Sequence, residues 1–279
     1  MFDGLSFSAE ADRVALIGDW SALFQLMAAS AELVSGQALI AGRPAESAAR
    51  ERVIGLALVD PPLPGSVSVL GYLEQSARLL GMRRGPAKAA ARAALERLGV
   101  ASLAAQRLAD LPRAHRRVVL IAHATLGAPQ VLVLEAPLAE LDDWNASWVH
   151  EVLWRAASAH RLLISARYAP PLGHERELID RMDQVIVLES GVVVAQGPPA
   201  SALVASRRYR VIASRHADAL AQRLLEKKLS VYVAAGDGAR HAARLIVELP
   251  EGTAPDVVLD AALEVDAPVL ELLPLGGST

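Results

Sequence analysis

The chain has 279 residues, of which 53% are hydrophobic, with a formal net charge of −3 and a pI near 6.2. This length is enough to bury one large core or two smaller ones, and the slightly acidic balance argues against a nucleic-acid-binding protein. Although mean hydropathy is high at +0.30, no apolar run approaches the roughly 18–20 residues of a membrane-spanning helix, and no signal peptide is predicted. The absence of cysteine excludes disulfides and thiolate metal ligands and fits a reducing compartment.

Short apolar runs alternate with helical patterns over the first two thirds of the chain. The predicted strands cover residues 13–18, 37–42, 52–59, 131–134, 161–165 and 183–189, the last forming a hairpin with 192–195. The predicted helices cover residues 21–30, 69–80, 86–98, 115–126 and 146–160. This alternation of strands and helices predicts a layered α/β domain with buried strands.

A second, smaller domain is predicted after a boundary marked by Pro198-Pro199 and Arg207-Arg208. Its predicted elements are a strand at 209–213, a helix at 217–228, strands at 230–235 and 243–249 around a turn at 236–238, a helix at 254–264 and a strand at 269–275. That βαββαβ order is typical of a small ferredoxin-like α+β module. The sequence therefore predicts a first domain over residues 1–207 and an accessory domain over 208–279.

The most informative segment is the one that follows the predicted strand at 131–134. The strand ends in the carboxylate of Glu135, which is followed by Ala136, a proline and a Leu-Asp pair that ends at Asp142. This is the frame of a Walker B strand and the loop after it. Further matching segments, in the same order and spacing, cover residues 4–8, 14–18, 35–44, 54–63 and 191–199.

Together these segments resemble the nucleotide-binding subunit of an ATP-binding cassette (ABC) transporter, over nearly the whole chain. The resemblance implies a P-loop NTPase-type ABC ATPase fold, with a helical subdomain at about residues 60–112. The appended C-terminal module suggests the exporter (ABC-2-like) branch of the family.

The phosphate loop of such a subunit needs the pattern G-x-x-x-x-G-K-[ST], whose backbone, lysine and hydroxyl hold phosphate and Mg²⁺. Here only Gly18 matches, because Leu23 stands at the second glycine, Phe24 at the lysine and Gln25 at the hydroxyl. We expect Leu23 and Phe24, together with Trp20, to pack into the space that phosphate would occupy.

The resemblance also shows which other chemical positions have changed. It places Val59 at the glutamine that senses the γ-phosphate, Ala136 at the catalytic glutamate and Arg167 at the switch histidine. An alanine cannot orient or deprotonate water. Glu135 and Asp142, like Gly18, are then vestiges of a nucleotide site.

The signature sequence of the family falls on residues 111–115, where Pro112 removes one of the N–H groups that would face phosphate. Arg113 has two interpretations. It could reach a γ-phosphate held by a partner subunit, or it could be a solvated residue at the start of a helix. The second is the favoured interpretation.

These losses predict a chain without ATPase activity, with no ATP or Mg²⁺ cofactor, and with no metal site. The seven histidines are scattered without an i, i+4 pair, which favours surface and packing roles. The resemblance implies a non-catalytic subunit that docks an integral membrane permease and forms a dimer with an active ABC ATPase subunit. Its location would be cytoplasmic, peripheral to the inner membrane.

The predicted permease contacts lie at the start of the helical subdomain, where the family grips a short permease helix. They are Pro62, Leu63, Val67, Leu70 and Leu73. Two alternatives remain open. The chain could be a regulatory or scaffold pseudoenzyme outside transport, or a weak nucleotide sensor that binds ATP without hydrolysing it.

Overall fold

The computed structural model describes residues 5–170, 172–189, 191–203, 208–234, 243–250 and 253–275. It divides into two units, one formed by Met1–Arg167 with Leu172–Pro198, and the other by Tyr168–Pro171 with Pro199–Thr279. The structure therefore starts the second unit at Pro199, whereas the sequence predicted a boundary between residues 207 and 208. Arg207 and the predicted turn at 236–238 lie outside the described residues.

The first unit contains a six-stranded sheet, a helical subdomain and helices around the sheet. Its elements up to the helical subdomain are β1 (Arg13–Ile17), α1 (Ser21–Met27), β2 (Leu39–Ile40), β3 (Arg43–Pro44), α2 (Ala45–Ala48) and β4 (Ile54–Ala57). The helical subdomain contains α3 (Val69–Leu79), α4 (Arg84–Arg97) and 3₁₀ turns at Ala101–Leu103 and Leu108–Asp110. The remaining elements are α5 (Arg113–Ala124), β5 (Val131–Leu134), α6 (Asp143–Ala157), β6 (Arg161–Ala166), α7 (His174–Asp180), β7 (Gln184–Glu189) and β8 (Val192–Gly197).

The strands of this sheet lie in the order β4-β5-β6-β1-β7-β8. The first five are parallel to their neighbours, and β8 is antiparallel to β7. The carboxyl ends of the parallel strands therefore meet at one edge, which is where open α/β sheets bind their ligands. The predicted α/β class and its buried strands are confirmed.

Burial on both faces explains why these strands are continuous apolar runs. All four residues of β5 are buried, and α5 packs eight buried residues beside the sheet. Close packing also explains Gly55 in β4, since a Cβ there would lie 1.7 Å from the carbonyl oxygen of Ala124 in α5. A parallel sheet covered by helices on both faces requires such continuous apolar strands.

Two features of the first unit differ from the sequence prediction. The predicted strand at 37–42 is reduced to β2, a two-residue strand paired with β3. The helix α7 was not predicted at all, because only Leu178 and Ile179 are buried within it and no apolar periodicity results. An ion pair between Arg176 and Asp180, with Nε 2.8 Å from Oδ1, links successive turns of this helix.

Burial of Glu175 on α7 makes the stability of the first unit depend on pH. Desolvation raises the pKa of this carboxyl from 4.5 to about 7. Because the folded chain then holds its proton more tightly than the unfolded chain, stability is full below pH 4.5 and falls as pH rises towards 7. We expect Glu175→Gln to abolish this fall and to stabilise the protein by about 2 kcal/mol at pH 8. Denaturation at pH 5 and pH 8 measures the difference, and Glu96→Gln, at an exposed carboxyl of α4, should change neither value.

The second unit begins with α8 (Pro199–Ala202) and has the predicted βαββαβ order after it. Its elements are β9 (Arg208–Ala213), α9 (Ala217–Glu226), β10 (Ser230–Ala234), β11 (Ala243–Glu248), α10 (Asp256–Glu264) and β12 (Val269–Leu275). The strands form an antiparallel sheet in the order β10-β11-β9-β12. Alternate residues such as Val211 and Leu245 pack with Leu220 and Leu224 of α9 and Val258 of α10, so both helices cover one face.

No helix among the described residues is both long enough and apolar enough to cross a membrane.

Candidate functional site

The candidate site lies where β1, β4, β5 and β6 end. Only three residues, Gly18, Asp19 and Trp20, separate β1 from α1. In a phosphate loop the motif extends over eight positions between strand and helix. Here the helix begins at Ser21, inside the positions that would form the loop.

Aromatic side chains fill the space beneath this short connection. Trp20 and Phe24 are each 1% exposed and belong to the core cluster around β1, while Leu23 is partly buried against the same cluster. The indole N–H of Trp20 donates to the carbonyl of Ile17 at 3.0 Å, and its ring packs edge-on against Phe7. All three side chains are therefore in or against the core, and that they take the space of a phosphate stays a prediction.

Gly18 is held by packing between strands. Its φ is 114°, and a Cβ on it would lie 2.2 Å from the carbonyl oxygen of Leu188 in β7. A residue with a side chain could not adopt this backbone without strain. The one residue that matches the phosphate-loop pattern is thus required by the fold itself.

A carboxylate, Asp19, and a guanidinium, Arg167, act on each other at this loop. Hydrogen bonds from the hydroxyl and backbone N–H of Ser21 lower the pKa of Asp19, and the nearby Arg167 acts in the same direction. Asp19 is therefore ionised at neutral pH. Arg167, at the switch-histidine position, contributes its charge to this carboxylate.

At the end of β5, Glu135 has a partner within the chain. Its Oε2 accepts a hydrogen bond from the backbone N–H of Val59 at 3.0 Å, which ties β5 to the segment after β4. By the resemblance, Glu135 stands where a hydrolysing site binds Mg²⁺, and Val59 stands where it senses the γ-phosphate. Here this hydrogen bond links the two residues.

Ala136 is held in an uncommon backbone conformation with φ of 39°. Its N–H donates to the hydroxyl of Ser165 at 3.1 Å, and its carbonyl accepts from the guanidinium of Arg117. Arg117 is 2% exposed, and its burial lowers the pKa of the guanidinium, while Asp60 opposes that shift. Sequence analysis missed this buried cation, because it stands within an apolar helical pattern.

Removal of the Glu135 carboxylate should have a structural cost. Glu135→Ala leaves the N–H of Val59 without its acceptor, and we expect a loss of about 1–2 kcal/mol in the free energy of unfolding. Urea denaturation followed by tryptophan fluorescence measures this. The matched control is Glu140→Ala, which removes a carboxylate whose side chain is 72% exposed and should change stability by no more than about 0.5 kcal/mol. Equal losses in the two variants would contradict a structural role for Glu135.

Two further predicted positions have partners of their own. Arg113 begins α5 and its Nη1 lies 2.5 Å from Glu140 Oε2, with Asp60 Oδ2 3.9 Å from its Nε. Asp142 caps α6 by accepting from the backbone N–H of Asn145 at 2.9 Å, and this bond lowers the pKa of its carboxyl. A cap of this kind explains the aspartate without a nucleotide. Neither interpretation of Arg113 is tested, and the favoured one stays that of a solvated residue at the start of a helix.

One predicted permease contact is wrong. Leu73 is fully buried, since it faces the interior of the helical subdomain, and it has no surface for a partner. The other four predicted residues, Pro62, Leu63, Val67 and Leu70, are exposed or partly exposed.

A cleft of about 430 Å³ lies beside α3, lined by Arg50, Arg52, Leu79, Leu80 and His123 among others. Leu79, at the end of α3, is 89% exposed. Sequence analysis did not single it out, although Leu79 lies about 120° around the helix from the buried Leu73, six residues earlier.

The structure also brings together three residues that sequence analysis kept apart. His150 of α6 lies beside His174 and Glu177 of α7. Because α7 was not predicted, no signal in the sequence pointed to this group.

No family model matches the chain. Sequence relatives are nevertheless clear. The chain is 33% identical over 143 residues to the lipoprotein-releasing system ATP-binding protein LolD of Nitrobacter hamburgensis, which covers 45% of this chain and 59% of that protein. It is 31% identical over 150 residues to the molybdenum import ATP-binding protein ModC of Granulibacter bethesdensis, covering 52% of this chain and 40% of that protein. The matches thus span well under two thirds of either relative.

Solved structures agree in fold. The chain resembles cbiO1 from Clostridium perfringens, part of the ABC transporter complex cbiONQ, with a TM-score of 0.57, 22% identity and coverage of 71% of this chain and 82% of that one. An ATP-binding cassette of an ABC transporter in its ADP conformation gives a TM-score of 0.57 at 19% identity, covering 71% and 84%. The relatives include a lipoprotein-releasing system and importers, so the exporter branch stays a prediction. Over about half of its length the chain is thus similar in sequence to ATP-binding subunits of ABC transporters, and its first unit has the ABC ATPase fold.

Proposed function

We propose that this chain is a non-catalytic subunit of an ABC-type transporter, which docks a membrane permease and pairs with an active ATPase subunit. The observation that carries the proposal is the burial of Trp20 and Phe24 at the phosphate-loop position. A nucleotide would have to displace two aromatic side chains from the core before its phosphates could approach the backbone.

Charge supports the same conclusion. Asp19 is ionised at this loop, the carboxylate of Glu135 stands at the end of β5, and no lysine follows Leu23. One pair of like unit charges at 4 Å costs roughly 4 kcal/mol at an effective dielectric constant of about 20. A triphosphate at this loop would therefore meet the carboxylate of Asp19 without the lysine of an active subunit, while the cations nearby, Arg167 and Arg117, already act on Asp19 and on the carbonyl of Ala136.

The remaining positions also lack the residue types that ATP hydrolysis needs. Phosphoryl transfer depends on positioning the phosphate, neutralising its charge and orienting water. Phe24 and Gln25 replace the lysine and the Mg²⁺ hydroxyl, and Ala136 replaces the residue that would orient water. In a dimer the partner would have to supply these groups, which favours a heterodimer with an intact subunit.

The proposed permease contact is the surface formed by Pro62, Leu63, Val67 and Leu70 before and at the start of α3, together with the cleft at the other end of that helix. An exposed leucine, Leu79, and basic side chains border that cleft. A short amphipathic helix binds in a groove that offers an apolar anchor and a polar rim. The exposed leucine and the basic side chains would supply these two features. The proposed place of action is the cytoplasmic face of the inner membrane.

Two other functions remain as alternatives. A weak nucleotide sensor would bind ATP without hydrolysis, which requires Trp20 and Phe24 to move. A regulatory pseudoenzyme outside transport would use the second unit or the dimer surface and would have no permease partner.

The test is purification of the intact complex through a tag on this chain, from its native membranes. We expect a permease and a second ATPase subunit in stoichiometric amounts, with ATP turnover. Alanine at the partner's catalytic glutamate should abolish turnover, whereas Gln25→Ala in this chain should leave it unchanged. Turnover that survives the partner's substitution would refute the proposal, and a complex without a permease would favour the regulatory alternative.

A further inference from the structure

We infer that His150, His174 and Glu177 form a binding site for a first-row divalent transition metal of the Zn²⁺ type. One ligand atom of each lies within 4.8 Å of the others. Two imidazoles and a glutamate are a ligand set that Zn²⁺ takes in proteins, with water in the fourth position. None of the three belongs to the nucleotide-site positions, so the inference is independent of the proposed function.

His150 has the form that a metal ligand requires. It is 7% exposed, and its ring centroid lies 5.9 Å from that of His174. The indole N–H of Trp154 donates to its Nε2 at 2.8 Å. Nε2 thus carries a lone pair and Nδ1 carries the proton, and a bound metal would take the lone pair in place of the indole.

His174 is oriented by carboxylates at both ring nitrogens. Its Nδ1 lies 3.2 Å from Oε2 of Glu177, one turn further along α7, and its Nε2 lies 3.7 Å from Oδ1 of Asp143. Imidazoles that bind a metal through one nitrogen commonly face a carboxylate with the other. Glu177 is therefore placed to bind the metal together with His174. Asp143 is placed to orient the imidazole ring of His174.

The remaining distances and charges are compatible with a metal. Bonds of about 2.0–2.2 Å place tetrahedral ligand atoms roughly 3.4 Å apart, and Nδ1 of His174 already lies 3.2 Å from Oε2 of Glu177. Glu177, with its side chain 59% exposed, is free to rotate inward. Arg181 opposes a cation, and the two carboxylates of Glu177 and Asp143 offset it.

A metal here would join α6 to α7. Since α7 has only two buried apolar residues, such a link would fix a helix that the core holds weakly. We expect the bound ion to raise the thermal stability of the first unit.

The experiment is calorimetric titration of the full-length chain, free of any histidine tag, with ZnCl₂, alongside the visible spectrum of the Co²⁺ form. We expect one ion per chain and a Co²⁺ spectrum typical of four-coordination. Glu177→Gln and His174→Gln should each weaken Zn²⁺ binding at least tenfold and abolish the metal-dependent rise in melting temperature.

The matched control is Glu96→Gln, an exposed carboxylate on α4, which should bind Zn²⁺ like the wild type. Circular dichroism confirms that each variant is folded. The inference is overturned if Zn²⁺ does not bind stoichiometrically, or if Glu177→Gln and His174→Gln bind as tightly as Glu96→Gln.

Discussion

Phe24→Lys, which restores the residue that a phosphate loop carries at this position, is expected to unfold the first unit rather than to create a nucleotide site. The substitution removes an aromatic ring that is 1% exposed and places an unpaired ammonium in the core. Loss of a buried Phe alone costs about 3–5 kcal/mol, and the buried charge adds to this. We expect a loss of at least 4 kcal/mol, with no gain in ATP affinity.

All four tryptophans, Trp20, Trp144, Trp148 and Trp154, lie in the first unit, so their fluorescence during urea denaturation reports on that unit. The matched control is Gln25→Lys, one residue further along the same helix and exposed, which should remain within about 0.5 kcal/mol of wild type. A folded Phe24→Lys protein that bound ATP would show that the space beneath the loop is a usable phosphate site.

Gly18→Ala should also destabilise the first unit strongly, by about 3 kcal/mol or more. Two costs add, since an alanine cannot adopt φ of 114° without strain and its Cβ would collide with the carbonyl of Leu188. The measurement is the same denaturation. If this glycine served only phosphate, its replacement would impair nucleotide binding and leave stability unchanged.

Gly36→Ala separates the two costs. Gly36 has φ of 82°, yet nothing lies within 4 Å of where its Cβ would be. Its replacement should therefore cost only the backbone strain, about 1 kcal/mol. Equal losses at Gly18 and Gly36 would mean that the approach of β7 does not constrain the loop.

The sequence predicts most of this fold because strands buried on both faces leave an unmistakable pattern. The four apolar residues of β5, followed directly by Glu135, could only be a buried strand ending at the edge of a sheet. The βαββαβ order of the second unit was likewise predictable, since its strands alternate and its helices have regular apolar faces. The departures of residues 18–25 from the phosphate-loop pattern can be read from the sequence, because the motif fixes which residue type each position needs; that they remove nucleotide binding stays a proposal.

The features that could not be predicted from the sequence depend on tertiary contacts. The helix α7 carries charges on most of its surface, so it has no apolar period, and the proximity of His150 to His174 arises only once α7 packs beside α6. The sequence prediction also placed Leu73 on a partner surface, whereas it is fully buried; Leu79, six residues further on and about 120° away around the helix, is 89% exposed. Which face of α3 packs into the helical subdomain depends on contacts with its neighbouring helices.

The measurement that tests the central claim most directly is calorimetric titration of the purified full-length chain with Mg²⁺-ATP. With Trp20 and Phe24 in the core and Asp19 ionised beside them, we expect no saturable heat, and no thermal shift at millimolar ATP. Saturable binding at one ATP per chain, lost on competition with ADP, would contradict the account, because it would mean that these aromatic side chains leave the core to admit a nucleotide.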